Sequence, residues 1–273
     1  MKNFSVLISI YCKENPSWFR EALDSTFAQT QQPNEIVLVE DGPLTPELYD
    51  VIDEYQRKHP IFNIVKNETN LGLGLSLRKG VEACSNEIIA RMDTDDIIPS
   101  DRFAKELAAI EKGFDVVSCW SSIFFGDDKQ NVIAVKTRPE HHDDLERLAH
   151  KRSPICHAGA VFRKSAVLKA GNYQSCPLNE DYHLWVRMFL TGAKFYCVQE
   201  ILYNVRSNPN QVKRRGGLKF LKTELKAFRE FKKLGFYTTK DLIVNSAIRI
   251  AARLAPGKLR SFIIKKVWNH KSA

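Results

Sequence analysis

Glu87-Ile-Ile-Ala-Arg-Met-Asp-Thr-Asp-Asp96 is the stretch that decides how this chain is read. Glu87 to Met92 is short and apolar, the pattern of a buried strand. It closes on three carboxylates within four residues, Asp93, Asp95 and Asp96. Like charges this close repel by on the order of 1 kcal/mol per pair near a surface. Solvated loop acids therefore account for them poorly, and a divalent cation would relieve the repulsion. Hard oxygen donors favour Mg²⁺ or Mn²⁺ over zinc.

The same grammar repeats on both sides. Ile36 to Val39 is a strand ended by Glu40-Asp41 and the turn residues Gly42-Pro43. Phe4 to Tyr11, Ile61 to Val65 and Val116 to Trp120 are further strands. Helices fall between them. Asn15-Pro16 supplies an N-cap and a first-turn proline ahead of Phe19, Ala22, Leu23 and Phe27. Thr45-Pro46 opens another helix, with Leu48, Val51, Ile52 and Tyr55 on one face. Strand and helix alternate through the first 120 residues, which predicts an α/β fold with a mostly parallel sheet flanked by helices. Such sheets bind ligands beyond the carboxyl ends of their strands, where both acidic clusters fall. Asp41-Gly42 taken alone reads equally well as a solvated turn.

Length and composition bound the rest. The 273 residues can hold one sizeable domain and an appendage. None of the six cysteines forms a C-x-x-C pair, so neither a zinc knuckle nor a disulfide framework is indicated, and scattered thiols suit a reducing cytoplasm. The longest N-terminal apolar run, Val6 to Tyr11, is too short for a signal peptide or a membrane span. The active domain is expected to stay in the cytoplasm. From Gln211 to Ala273 there are 17 Lys and Arg against three acids, whereas the preceding 210 residues carry 24 bases and 29 acids. The chain is therefore divided into a domain at 1–210 and a basic helical segment at 211–273. Leu218, Leu221, Leu225, Phe228, Phe231 and Leu234 form one helical stripe there, and Leu259, Phe262, Ile263, Val267 and Trp268 another. A basic tail needs an anionic partner. The stripes fit a helix pair packed on the domain, or an interfacial helix on anionic lipid. Nucleic acid is not expected, because no recognised binding motif accompanies the charge.

Five segments in order resemble family 2 glycosyltransferases. They are Phe4 to Tyr11 with Ala22 to Thr30, Glu35 to Gly42, Asn70-Leu-Gly-Leu-Gly74 with Arg78 and Gly80, Ala90 to Asp96 with Pro99, and Asn179-Glu-Asp-Tyr-His-Leu-Trp185 with Arg187. Together they cover roughly residues 4 to 206. The resemblance implies a GT-A fold, Rossmann-like, with inverting chemistry. It implies Ser9 and Asp41 at the nucleotide base, Asp93 and Asp95 as a D-x-D holding ribose, Mn²⁺ or Mg²⁺ and diphosphate, and Asp181 as catalytic base. It places His157 near the donor diphosphate or the acceptor. Val39 to Thr45 with Arg91 to Ile97 look most like bacterial O-antigen and exopolysaccharide enzymes, several of them β1,3-galactosyltransferases acting on lipid-diphosphate-linked sugars. A UDP-sugar donor and a lipid-linked saccharide acceptor follow. A lipid-linked acceptor favours the membrane reading of the tail, peripheral on the inner face of the cytoplasmic membrane. Gln211-Val-Lys-Arg-Arg215 lacks the Trp of the Q-x-x-R-W motif, which speaks against processive synthesis.

Displacement at an anomeric carbon needs charge neutralisation on the leaving diphosphate, a base for the acceptor hydroxyl and alignment of the two. Asp93, Asp95 and Asp181 supply the right groups without a Ser or Cys nucleophile. Glu180-Asp181 also suits a helix start, where acids are favoured. Asn70 to Gly74 fails the G-x-G-x-x-G spacing and reads as a turn that lets the backbone pass close to a nucleotide. Arg78 suits a base or phosphate contact, or simply the surface. His157 suits the donor and acceptor region or an ordinary hydrogen-bonded loop. A sugar nucleotidyltransferase would want a glycine- and base-rich loop near the N-terminus, which is absent. A non-catalytic sugar- or lipid-binding component of an assembly complex is the other alternative, against which Asp93, Asp95 and Asp181 together argue.

Overall fold

The computed structural model describes residues 3–176, 178–207 and 217–254. β1 (Phe4–Ile10), α1 (Pro16–Phe27), β2 (Glu35–Glu40), α2 (Pro46–Lys58), β3 (Phe62–Lys66), α3 (Leu73–Ala83), β4 (Ile88–Met92) and α4 (Arg102–Glu111) alternate as the pattern predicts. The Asn15 carboxamide oxygen caps α1 by accepting from the Ser17 and Trp18 amides. β5 (Val116–Phe125) runs five residues beyond the expected strand, and β6 (Asp128–Lys136) folds back on it. The chain continues through α5 (His142–Ala149), β7 (Val161–Arg163), α6 (Lys164–Lys169), α7 (Glu180–Leu190), β8 (Phe195–Ser207), α8 (Gly217–Lys233) and α9 (Thr239–Leu254).

β3, β2, β1 and β4 lie side by side in parallel, and antiparallel β7 joins β4 to β5. β8 pairs with β5 in parallel along its length. The central strands are apolar on both faces because helices cover both. On one face Val6, Ile8, Ile36, Leu38 and Ala90 pack with α1, α2 and α4. On the other, Leu7, Val37, Val39 and Ile89 pack with α3 and α7. α3 approaches so closely that a Cβ on Gly80 would lie 2.3 Å from the Leu7 Cδ1 atom.

The tail departs from expectation where it is described. Leu221, Phe228 and Phe231 of the first apolar stripe are buried, and Leu225 is partly buried against the same core. Phe228 and Phe231 join Phe236 and Tyr237 in the cluster that holds α7. Burial against an aromatic core outweighs exposure to water, so most of this stripe faces inward and is not a membrane face. Only Leu218 and Leu234 of the stripe are exposed, joined on α9 by Ile243, Val244 and Ile250. The second stripe, Leu259 to Trp268, and Gln211 to Arg215 lie outside the described residues. Among the described residues no helix is long and apolar enough to cross a membrane.

Candidate active site

β4 delivers the acidic loop to the carboxyl edge of the sheet. Carboxylate oxygens of Asp93, Asp95 and Asp96 all lie within 4.8 Å of one another, a donor set that fits a hard dication. Burial and then the charge of Asp93 push the Asp95 carboxyl up to about 6. Burial, followed by the charges of Asp95 and Asp93, pushes Asp96 well above the usual carboxylate range. Asp95 and Asp96 thus favour their protonated forms, and a cation bound here would displace those protons.

Distant residues hold this loop in place. Arg91, buried beneath it, pairs with the Asp93 Oδ1 atom at 2.5 Å. Its Nε and Nη2 atoms are buried with no hydrogen-bond partner among the described residues. The Asp93 amide donates to the Tyr203 hydroxyl at 3.1 Å, and Tyr203 lies under the Arg102 guanidinium. Arg102 pairs with Glu106 in complete burial and donates to the Arg91 carbonyl. Arg206, also buried, donates its amide to Asp96 at 2.8 Å and its Nε–H to the Asp95 carbonyl at 2.9 Å. Such a network fixes the loop backbone before any ligand arrives.

Asp181 stands in the first turn of α7, beside Glu180. The Ser153 hydroxyl donates to its Oδ2 atom at 3.0 Å. α7 is locked from behind: the Tyr182 hydroxyl meets the Tyr237 hydroxyl at 2.7 Å, and Phe231 packs edge-on against the Tyr182 ring. Burial, followed by the Asp181 charge, pushes Glu180 up to about 7. His157 shares a 2.8 Å hydrogen bond with the Tyr173 hydroxyl. Burial and then the Arg91 charge hold its imidazole well below its usual pKa, so it is neutral.

A cavity of about 540 Å³ brings much of this together. Asp93, Asp96, His157, Glu180 and Asp181 all line it, whereas Ser9, Asp41, Arg78 and Asp95 do not. Ser9 and Asp41 sit at the ends of neighbouring strands, with Ser9 opposite Val39 in register. The Asp41 carboxylate accepts the Leu71 amide at 2.7 Å, the Gly72 amide at 3.0 Å and the Asn67 side chain at 3.3 Å. The glycine-containing turn therefore gives these two amides to Asp41. Gly42, with φ +87°, makes this possible, since a Cβ there would lie 2.8 Å from the Asn70 nitrogen. Arg78 ties α3 to the Tyr173 carbonyl at 3.2 Å and pairs with Glu82.

The sequence profile described as Glycosyl transferase family 2 matches residues 5–171. The chain belongs to this family. It is a glycosyltransferase, as its relatives' names also indicate. It is 35% identical, over 97% of its length and 96% of the relative's, to the UDP-Gal:alpha-D-GlcNAc-diphosphoundecaprenol beta-1,3-galactosyltransferase of Escherichia coli. It is 35% identical, over 96% of its length and 98% of the relative's, to an amylovoran biosynthesis glycosyltransferase of Erwinia amylovora. Among solved structures it resembles S. aureus TarS 1–349 in complex with UDP-GlcNAc, with TM-score 0.68 and 15% identity over 97% of this chain and 80% of that one. It also resembles the mannosyltransferase PcManGT from Pyrobaculum calidifontis, in complex with GDP-Man and Mn²⁺, with TM-score 0.59 and 15% identity over 97% of this chain and 79% of that one. These two likenesses establish the GT-A-like fold.

Several residues that shape the glycosyltransferase's site carry no local sequence signal. Ser153, Tyr203 and Arg206 belong to segments far from the acids they touch. Arg91 lies inside the decisive stretch, and an arginine within a buried strand is the one signal that could have drawn attention to it.

The raised Glu180 gives a stability prediction with a definite sign. The folded state holds its proton up to about pH 7, while the unfolded chain releases it near 4.3. Between those values the folded state binds more protons, so stability falls as pH rises, and the cost is complete above pH 7. Glu180→Gln should therefore stabilise the protein by on the order of 1–3 kcal/mol at pH 8 and by much less at pH 5. Urea melts at both values check this; an equal difference at the two would show that Glu180 is not held protonated.

Proposed function

We propose that this glycosyltransferase moves a hexose, galactose from UDP-galactose, with inversion onto a saccharide carried on a lipid diphosphate in bacterial surface polysaccharide synthesis. The observation that carries the reading is that Asp93 and Asp96 of the acidic cluster line one cavity together with Asp181. Asp93 and Asp95 would hold Mn²⁺ or Mg²⁺, which supplies charge neutralisation to the departing diphosphate. Asp181, oriented by Ser153, takes the proton of the acceptor hydroxyl as the new bond forms. His157, neutral and fixed by Tyr173, donates or accepts a hydrogen bond to a sugar or phosphate oxygen without adding charge. Ser9 and Asp41 take the uracil. A carboxylate offers about four acceptor positions, and three donors already fix the Asp41 group, which leaves room for an imide N–H. Arg78 closes the donor side by holding α3 to the Tyr173 segment.

The reading is tested by supplying UDP-galactose and Mn²⁺ with an alkyl diphosphate of N-acetylglucosamine. Formation of a galactose-containing disaccharide with one UDP per product is expected. No UDP release from any UDP-sugar, with any saccharide-diphosphate acceptor, would overturn it.

The membrane side of the proposal rests on α9 and the basic tail. Ile243, at 63% exposure, and Val244 present apolar surface to solvent on a segment with a large positive excess. Such surface suits the interface of an anionic bilayer. Binding to anionic vesicles should weaken with salt, since exposed charges are screened beyond about 8 Å at physiological ionic strength. Ile243→Glu with Val244→Glu should reduce that binding at least tenfold in a flotation assay. Equal binding to neutral vesicles would refute the electrostatic part.

A further inference from the structure

The cavity carries two kinds of charge. The acids come from the β4 loop and the start of α7. A separate set of elements contributes bases: Lys136 at the end of β6, Arg138 just beyond it and Arg249 on α9 all line the same cavity. Arg152 adjoins them. Burial and then the charges of Arg138 and Arg249 hold its pKa below the usual guanidinium value. Three of these cations thus line the cavity and a fourth lies beside them, with Glu224 paired to Arg249 at 3.4 Å. Like charges are not gathered without cost, and the cost grows as water is removed.

Arg138 shows where the compensation is missing. Its Nη1–H donates to the Thr137 carbonyl at 2.8 Å, while its Nε is buried with no hydrogen-bond partner among the described residues. Its backbone carbonyl is held by the Trp120 indole and the Gln199 side chain, so the residue is anchored independently of its guanidinium. An anchored arginine with an unmet N–H, in a cavity shared with other cations, suits an anion with several oxygens. Guanidinium forks match phosphate oxygens in pairs. The cavity is of ordinary small-ligand size, which suits a compact phosphate group joined to a sugar.

We propose that Lys136, Arg138 and Arg249 form an anion subsite that takes the diphosphate of the saccharide acceptor. This rests on the reading above, in which Asp181 deprotonates the acceptor hydroxyl. Binding the diphosphate on these bases and the hydroxyl at Asp181, in the one cavity they share, would orient the acceptor sugar. Positioning of this kind supplies much of the rate in a displacement, and it would make the diphosphate a requirement of the acceptor. The donor also carries a diphosphate, but the proposed donor site draws its groups from β1, β2 and the β4 loop.

The test measures binding, so it needs no turnover. Octyl diphosphate and UDP with Mn²⁺ are each titrated calorimetrically into the wild-type protein, Arg138→Gln, Arg138→Lys and Lys136→Gln. Lys136 is exposed on β6, so its substitution leaves the core untouched. The subsite predicts that Arg138→Gln weakens octyl diphosphate at least tenfold, Lys136→Gln several-fold and Arg138→Lys less than Arg138→Gln. UDP should weaken far less. In parallel, the wild-type preference for a saccharide diphosphate over its neutral alkyl glycoside, in kcat/KM, should narrow at least tenfold in Arg138→Gln. Octyl diphosphate binding unchanged in both Arg138→Gln and Lys136→Gln would overturn the subsite. So would a loss of UDP affinity as large as that of octyl diphosphate, which would assign the wall to the donor. Arginine-dependent binding of octyl diphosphate by a protein that transfers no sugar would leave the subsite standing and remove the proposed function instead.

Discussion

Asp181→Asn should lower the transfer rate by about 10²–10⁴-fold, the usual loss when a general base is removed, while the UDP-sugar dissociation constant stays within about twofold. Asparagine keeps the size of the side chain and can still accept from Ser153, which now donates to Asp181 at 3.0 Å. It cannot take a proton from the acceptor hydroxyl. The proposed nucleotide side draws on other elements, so the donor should still bind. Single-turnover transfer and equilibrium UDP-sugar binding separate the two effects. Glu180→Gln is the control. Glu180 is adjacent in sequence, but a Cβ on Gly74 would lie 3.1 Å from its Cβ, so Glu180 packs against the α3 turn. Its loss should cost far less than that of Asp181. A dead Glu180→Gln beside an active Asp181→Asn would mean that the other carboxylate is the base.

The second large effect concerns the acidic loop. Asp95→Asn should abolish transfer to within assay limits and weaken Mn²⁺ binding at least a hundredfold, because it removes one charged oxygen ligand from a set of three. Excess chelator should silence the wild-type enzyme in the same way. Metal affinity should also depend on pH. Asp95 is pushed up to about 6 by burial and by Asp93, so below that value a cation must displace a proton to bind. Affinity should rise with pH through about 6, where Asp95 loses its proton. Full activity in excess chelator, or metal binding that is flat between pH 5 and 7, would remove the metal from the proposal. The loop should survive the substitution. Its backbone is held by Tyr203 and Arg206, through the Asp93 amide and the Asp95 carbonyl.

What was legible in advance follows a pattern. The alternation of strand and helix could be read because each central strand is covered on both faces, which makes it a short apolar run with turn residues at its end. The placement of Asp93 and Asp41 followed from the same fact, since both close strands of one parallel sheet. The cap on α1 could be read because it is made within three residues of Asn15. Asp41 shows the limit of such reading. Its position was predictable, but its partners Leu71 and Gly72 lie thirty residues away.

The apolar stripe of α8 was visible as a stripe, but periodicity says only that one face avoids water. It does not say whether protein or lipid covers that face. The packing of Phe228, Phe231 and Tyr237 behind α7 answers for protein. One consequence is that removing residues 211–273 would strip part of the core that supports Asp181, so truncation tests folding before it tests membrane binding.

The order of elements, the acidic clusters at strand ends and the basic excess of the tail are properties of neighbouring residues, and the sequence alone determined them. The shared cavity of Asp93 and Asp181, the grip of Arg206 on the acidic loop and the gathering of Lys136, Arg138 and Arg249 were decided only by tertiary structure. Each joins residues more than 80 positions apart, or elements whose approach depends on how helices and strands pack. No local pattern encodes a contact of that kind, because its free energy comes from burial and charge pairing that exist only once the chain has closed.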